Sequence, residues 1–107
     1  MKKRWTQELA DFLRSCASER RLAPTTCSAY ERDVSACLDY LQGGGIRDLG
    51  SVKVTHLRAF LAEEQKRRPA MSSQARTTAA LKCFFRFLIE EERIVHDPAL
   101  PLRTPKK

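Results

Sequence analysis

Hydrophobic residues recur at helical spacing in separate stretches of the chain, and no stretch shows the alternation typical of a strand. The first stretch predicts a helix from Thr6 to about Arg20, with the Thr6 hydroxyl placed to cap it. The second begins at Pro24, which suits a first helical position because proline lacks the N–H that would be unpaired there. Its apolar stripe continues to the glycines at 43–45, which end the helix.

Two further helices are predicted after a connection over about residues 42–53. The third is marked by apolar residues at 57, 60 and 61 and ends near Pro69. Ser72 and Ser73 are both competent caps for the fourth, which runs to about Arg93 and carries much of the aromatic content. Residues 101–107 are proline-bearing and basic, which is typical of an extended linker rather than a packed element.

Four helices with short connections favour an all-α bundle of two antiparallel helical hairpins around one core, with a short C-terminal turn as a possible addition. A chain of 107 residues suffices for one domain of this kind. We therefore expect residues 1–100 to form a helical domain and residues 101–107 to begin a linker to a further domain.

Several classes of protein are disfavoured by composition. No apolar run is long enough to cross a membrane and the basic start lacks a signal-peptide core, so we expect a cytoplasmic protein with no membrane partner. The four cysteines show no C-x-x-C pairing and fall in helical patterns, which predicts buried, unpaired thiols. His56 and His96 stand alone, so we expect no metal and no cofactor.

The net charge of +7 suggests an anionic partner, but most of it lies at the chain ends. Six basic residues lie outside positions 5–102. Inside that range, the charges of the 14 basic and 13 acidic residues nearly cancel. A uniformly basic surface is therefore excluded, and any binding face must be local.

If successive helices run in opposite directions, such a local face is predicted at one end of the bundle. If each link reverses the chain, this positive pole gathers six cations against three acids: Arg20, Arg21, Lys66, Arg67, Arg68 and Arg76 against Glu19, Glu63 and Glu64. The N-termini of helices two and four lie there as well, and their free N–H groups attract phosphate. Lys66, Arg67, Arg68, Lys106 and Lys107 are expected phosphate or linker contacts.

The spacing of residues also selects a face on each of these two helices. Positions 25, 28, 29 and 32 share one side of helix two, and positions 73, 76, 80 and 83 share one side of helix four. Arg32 and Arg76 are the long cations on these faces and could reach a guanine edge or a phosphate. The alternative is that Thr25 and Ser72 only cap helices, Arg32 pairs with Glu31 or Asp33, and Arg76 is a solvated surface residue.

Residues 22–34, Leu-Ala-Pro-Thr-Thr-Cys-Ser-Ala-Tyr-Glu-Arg-Asp-Val, resemble the opening of the N-terminal core-binding domain of tyrosine recombinases of the phage integrase type, with Xer-like character. Residues 57–61, the pair Ser72-Ser73, residues 84–88 and the Asp97-Pro98 exit match further motifs in the same order. The chain departs from the family pattern at Ala23, Glu31, Lys53, Ala75 and Thr77, which weakens individual contacts.

The resemblance implies a SAM-like fold of two crossed hairpins that forms one half of a C-shaped clamp on double-stranded DNA at a recombination half-site. The residues it selects lie on helices two and four: Thr25, Thr26, Ser28, Ala29, Arg32, Ser72, Ser73 and Arg76. It also implies contacts with other recombinase protomers on DNA. The catalytic residues of such recombinases belong to a separate domain, so this chain is not expected to be an enzyme.

The sequence is also compatible with other functions. A free-standing helical module that binds protein is the main alternative. A helix-turn-helix regulator is disfavoured because the glycines join long helices rather than two short ones. Tyr30 is spaced as a core ring and lacks the basic cluster that strand cleavage needs, so a nucleophilic role is disfavoured.

Overall fold

The computed structural model describes residues 2–105 and contains four α-helices in that range, with no strand. The helices are α1 (Thr6–Ser18), α2 (Pro24–Gly43), α3 (Val54–Arg67) and α4 (Met71–Glu90), and a 3-10 turn spans Leu49–Ser51. The all-α prediction is confirmed, and the four helices lie where the hydrophobic pattern indicated.

The helices pair as two hairpins, α1 with α2 and α3 with α4. The Gln42 side chain at the end of α2 contacts the start of the chain, accepting from the Arg4 backbone N–H at 2.9 Å and donating to the Lys2 carbonyl at 2.7 Å. This places α1 and α2 antiparallel. Since α2 packs against all three other helices, it joins the two hairpins.

Aromatic rings on α1 and α4 occupy the centre of the core. Phe12 meets Phe84 edge to face with ring centroids 5.3 Å apart, and Phe84 meets Phe85 in the same way at 5.2 Å. All three rings are fully buried, together with aliphatic side chains from α2, α3 and α4. The predicted aromatic core on the fourth helix is therefore confirmed.

The first helix starts at Thr6 and the second at Pro24, as predicted, but the residues that precede α1 and α4 differ from the predicted caps. Trp5, in a left-handed conformation with φ 63°, precedes α1, and Ala70 precedes α4, neither with a side-chain capping bond. Thr6, Ser72 and Ser73 lie inside the helices, so their prediction as caps is wrong. The reason is that each has helical backbone angles, whereas a capping residue needs an extended or otherwise non-helical backbone.

The helix ends are closed by residues with positive φ. Gly45 (φ 88°) follows α2, and the Ile46 N–H bonds the Leu41 carbonyl at 3.0 Å. Glu92 (φ 56°) follows α4, and the Arg93 N–H bonds the Leu88 carbonyl at 2.8 Å. Both have the hydrogen bond that defines a Schellman motif. Because the turn at Glu92 ends α4, that helix stops at Glu90 rather than Arg93. The first helix, α1, stops at Ser18 rather than Arg20, shortly before Arg21, which also has a positive φ of 52°.

The segment after α4 packs against the bundle further than predicted. Ile94, Ala99 and Leu102 join the core, and Leu102 is only 6% exposed. The Lys82 ammonium donates to the carbonyls of Ala99, Leu100 and Leu102, the last at 2.7 Å. The expectation of an unpacked strip from residue 101 is therefore wrong as far as Leu102. The assignment of residues 101–107 to a linker remains a prediction.

Candidate nucleic-acid interface

A buried ion pair joins α2 to α4 at the centre of the predicted surface. The Arg76 Nε and Nη2 atoms donate to the two carboxylate oxygens of Asp33 at 2.9 and 3.2 Å. The Asp33 side chain is 4% exposed and that of Arg76 is 31% exposed, and the hydrogen bond that Arg76 donates to Asp33 raises the pKa of Arg76. The alternative that Arg32 pairs with Asp33 is wrong, because Asp33 pairs with Arg76. Arg76 is partly exposed but is held by Asp33 rather than freely solvated.

Arg32 lies beside this ion pair and is free to bind. It is exposed and has no ion-pair partner among residues 2–105, although Glu31 precedes it in the chain. On α2 it directly precedes Asp33, the buried residue that pairs with Arg76 of α4. Its place on a binding face remains a prediction.

The start of α2 offers hydroxyls and free backbone donors. Thr25 and Ser28 are exposed and Thr26 is half-buried. The Cys27 N–H bonds the Ala23 carbonyl at 2.9 Å, whereas the N–H groups of Thr25 and Thr26 have no acceptor in the described part of the chain. Unpaired N–H groups and the positive end of the helix dipole favour an anion here.

The start of α4 also carries small hydroxyl side chains. Ser72 is exposed and Ser73 is half-buried, while the Ser73 carbonyl accepts the Thr77 hydroxyl at 2.9 Å. Ala29 and Ala80 are buried, so these two predicted face residues are packing residues. Of these two, only Ala29 was a predicted DNA contact.

The predicted segregation of charge is wrong in part. Arg20 was placed at the positive pole away from Glu90, but the two side chains form an ion pair at 3.1 Å. Arg67 pairs with Glu64, and Lys66 pairs with Glu63 at 3.4 Å. Of the six predicted cations, only Arg21 and Arg68 have no ion-pair partner within residues 2–105. The expected phosphate contacts Lys106 and Lys107 lie outside the described residues.

Comparison with known proteins decides the family. The model of the family "Phage integrase, N-terminal SAM-like domain" matches residues 9–92, which include all four helices except the first residues of α1. The chain belongs to this family. The resemblance stated from the motifs is thereby confirmed.

Curated relatives of this SAM-like domain are tyrosine recombinases. It is 34% identical over 100 residues to the tyrosine recombinase XerC of Pseudomonas syringae pv. tomato, an alignment of 94% of this chain and 33% of that protein. Identity is 36% over 95 residues with XerC of Roseiflexus sp. (89% and 30% coverage) and 31% over 100 residues with XerD of Listeria monocytogenes (92% and 34%). The chain spans about a third of the length of these relatives. No solved structure matches it.

Tyr30 of the SAM-like domain is half-buried against the core, as its spacing predicted. Burial raises the pKa of its phenol, with nearby Cys83 and Cys16 adding to the effect. A raised pKa is the opposite of what activates a nucleophilic hydroxyl.

The thiols of the SAM-like domain are all unpaired, as predicted. Cys16 and Cys37 are buried, whereas Cys27 and Cys83 are only half-buried, so the prediction of burial is wrong for the latter pair. Burial raises the pKa of Cys16 to about 12. Among residues 2–105 no cluster of acidic, histidine or cysteine side chains is arranged to hold a metal ion. Within the same range, no helix has the length and hydropathy needed to span a bilayer.

Sequence reasoning missed three residues that shape this surface. Asp33 was considered only as a partner for Arg32, although its place at the edge of the inward stripe on α2 predicts burial against a neighbouring helix. Arg58 and Arg103 have no ion-pair partner in the described range, and both line a cleft beside α4. No sequence signal brings these two together, because they lie on different elements 45 positions apart.

Proposed function

We propose that this SAM-like domain binds duplex DNA through α2 and α4 and serves as the N-terminal half of a clamp in site-specific recombination or DNA integration. The observation that carries the proposal is the pairing of Asp33 with Arg76 beside the unpaired Arg32. This pair holds one guanidinium at the junction of the two helices and leaves a second one free. Membership in the phage integrase family and the tyrosine recombinase names of the relatives support the same function.

The two arginines are suited to different tasks. Arg76 uses its Nε–H and one N–H of Nη2 for Asp33, so both N–H donors of Nη1 and the second N–H of Nη2 are left to meet DNA. A guanidinium held in this way is a rigid donor that contacts one phosphate or one base edge. Arg32 retains all five donors and can take the bidentate geometry that reads guanine.

The helix starts supply contacts that position the duplex without reading sequence. The free N–H groups of Thr25 and Thr26 and the exposed Ser28 and Ser72 hydroxyls are suited to phosphate oxygens. Strand cleavage is assigned to a catalytic domain of a longer recombinase, and other protomers on the same DNA are the proposed protein partners.

A salt titration of DNA binding tests this function. A labelled duplex of about 20 base pairs is titrated with the full chain at several salt concentrations, and binding is followed by fluorescence anisotropy. Affinity is expected to fall as salt rises, and Arg32→Gln is expected to weaken binding about tenfold and to lower the salt slope by about 1 if the contact is to phosphate.

Arg47→Gln is the matched control, since Arg47 is also exposed and unpaired within residues 2–105 but follows α2 in the loop away from α4. It should leave the affinity close to that of the wild type. Equal losses for Arg32→Gln and Arg47→Gln would contradict the assigned face, and an affinity that is lost only when residues 2–4 and 103–107 are deleted would assign binding to the tails.

A protein-binding module is the second candidate, favoured by an apolar groove at the end of α2. Tyr40, Leu41, Ile46 and Ala59 line an open groove of about 610 Å³, and Tyr40 is exposed. Absence of DNA binding at low salt, together with loss of a protein contact in Tyr40→Ala, would favour this function instead.

A further inference from the structure

A cleft between α3, the start of α4 and the C-terminal segment collects three arginines. Its volume is about 240 Å³, and it is lined by Arg58 of α3, by Arg68 directly after α3 and by Arg103 of the C-terminal segment. None of them has an ion-pair partner in residues 2–105. Like charges that line one cleft repel one another, and an anion bound between them lowers this cost.

One carboxylate also lines this arginine cleft, and it does not neutralise the three cations. Glu64 forms its ion pair with Arg67, at 3.8 Å. Its Oε2 atom is covered by protein and has no hydrogen bond. The charge that the cleft presents to solvent therefore comes mainly from the arginines.

Arg103 is held in the cleft by the residues before it. The Leu102 side chain is buried, and its carbonyl accepts from the Lys82 ammonium at 2.7 Å. Because the backbone is already anchored at Leu102, an anion that binds Arg103 immobilises little more than one side chain. Such preorganisation lowers the entropic cost of binding.

The cleft lies on the flank of α4 opposite to Arg76. Successive residues of an α-helix are about 100° apart, so Gln74 and Thr78, which line the cleft, project away from the Arg76 side. The solvent-facing side between the two flanks carries the small residues Ser72, Ala75 and Ala79. A duplex that lies over α4 can therefore meet Arg76 on one flank and the cleft on the other.

We propose that the arginine cleft binds a phosphate group of the DNA backbone, so that the segment leaving the domain is tied to the same duplex as α2 and α4. This inference rests on the proposed function and adds a second phosphate site to it. The ligand is a tetrahedral oxyanion, which matches the donor geometry of guanidinium groups.

Arginine side-chain NMR separates this site from the α2–α4 face. Uniformly ¹⁵N-labelled protein is titrated in one arm with a duplex of about 20 base pairs and in another with inorganic phosphate at matched phosphate concentration. The duplex is expected to shift the Nε–H signals of Arg58, Arg68 and Arg103 together with that of Arg32, and to leave Arg47 unchanged. Arg58→Gln/Arg103→Gln should lower the salt slope of duplex binding by about 1.

The outcomes are distinguishable. If the duplex shifts Arg32 but none of the three cleft arginines, the cleft proposal is overturned and the proposed function stands. If inorganic phosphate shifts the cleft signals and the duplex does not, the site binds free phosphate and the DNA assignment is wrong. If the duplex shifts none of these arginines, the proposed function and the cleft proposal fail together.

Discussion

At the scale of single residues, the ion pair between Asp33 and Arg76 determines how the surface can be tested. Asp33 is nearly inaccessible, whereas Arg76 reaches solvent. Substituting Arg76 therefore disturbs folding as well as any contact with DNA, and only Arg32 reports on binding alone. The sequence does not show which of the two arginines Asp33 holds.

Substitutions in this pair are expected to differ in cost. Arg76→Gln leaves a buried carboxylate without its cation, whereas Asp33→Asn leaves an arginine that can turn to water. We expect both to lower the free energy of unfolding, Asp33→Asn by about 1–3 kcal/mol and Arg76→Gln by more. Urea unfolding measures both.

Arg86→Gln is the control for this comparison, because Arg86 pairs with Glu90 on an exposed surface at 3.7 Å. Its cost should stay below about 1 kcal/mol. Equal costs for all three substitutions would show that the buried pair has no special role in stability.

Asp11 gives the fold a dependence on pH. Arg93 donates to its carboxylate at 2.7 Å, and this hydrogen bond, together with one from Gln7, lowers the pKa of Asp11. A lowered folded pKa stabilises the fold above the ordinary value of about 3.9, and the contribution is lost as pH falls through the folded pKa.

We therefore expect Asp11→Asn to be destabilised relative to the wild type at pH 7 and the difference to shrink in acid. Urea unfolding of both proteins between pH 7 and the acid limit of folding measures this difference. Glu8→Gln, which removes an acid without an ion-pair partner among residues 2–105, is the control. A difference for Asp11→Asn that stays constant with pH would be inconsistent with the Arg93 contact.

At the scale of elements, the hydrophobic pattern predicts the existence and order of the helices because the inward stripe is a property of each helix alone. Their ends depend on other information. Thr6, Ser72 and Ser73 have capping side chains, yet the helices start at or before them since Trp5 and Ala70 adopt the non-helical angles. The preference of Ser and Thr for the N-cap position is therefore overridden here by the backbone conformation of the preceding residues.

Glu92 shows that residue type alone does not determine where a helix ends, and its backbone conformation leads to a prediction. Its φ of 56° is left-handed, a conformation that disfavours side chains with a Cβ and suits glycine. Glu92→Gly is expected to raise the free energy of unfolding by about 0.5–1 kcal/mol.

Glu91→Gly is the matched control, because Glu91 has φ −88° and gains nothing from glycine. It should be neutral or destabilising in the same urea experiment. If both substitutions change stability equally, the left-handed turn does not account for the effect.

At the scale of the whole molecule, the sequence predicts the fold and the helices of the candidate site but not its electrostatics. The predicted positive pole assumed that charges of one sign gather where helix ends meet. In the folded chain Arg20 crosses to Glu90, and Arg67 and Lys66 pair with acids on their own helix. Which cations remain unpaired depends on packing between distant segments, as Arg58 and Arg103 illustrate.

The central claim is that α2 and α4 together form the DNA-binding surface, and a backbone amide NMR footprint tests it most directly. A ¹⁵N-labelled full chain is titrated with a duplex, and shifts are mapped along the chain. The largest shifts are expected at residues 25–32 and 72–79, with little change in the apolar groove around Tyr40 and Ile46. Shifts confined to the chain ends or to that groove, with residues 25–32 and 72–79 unperturbed, would contradict the claim.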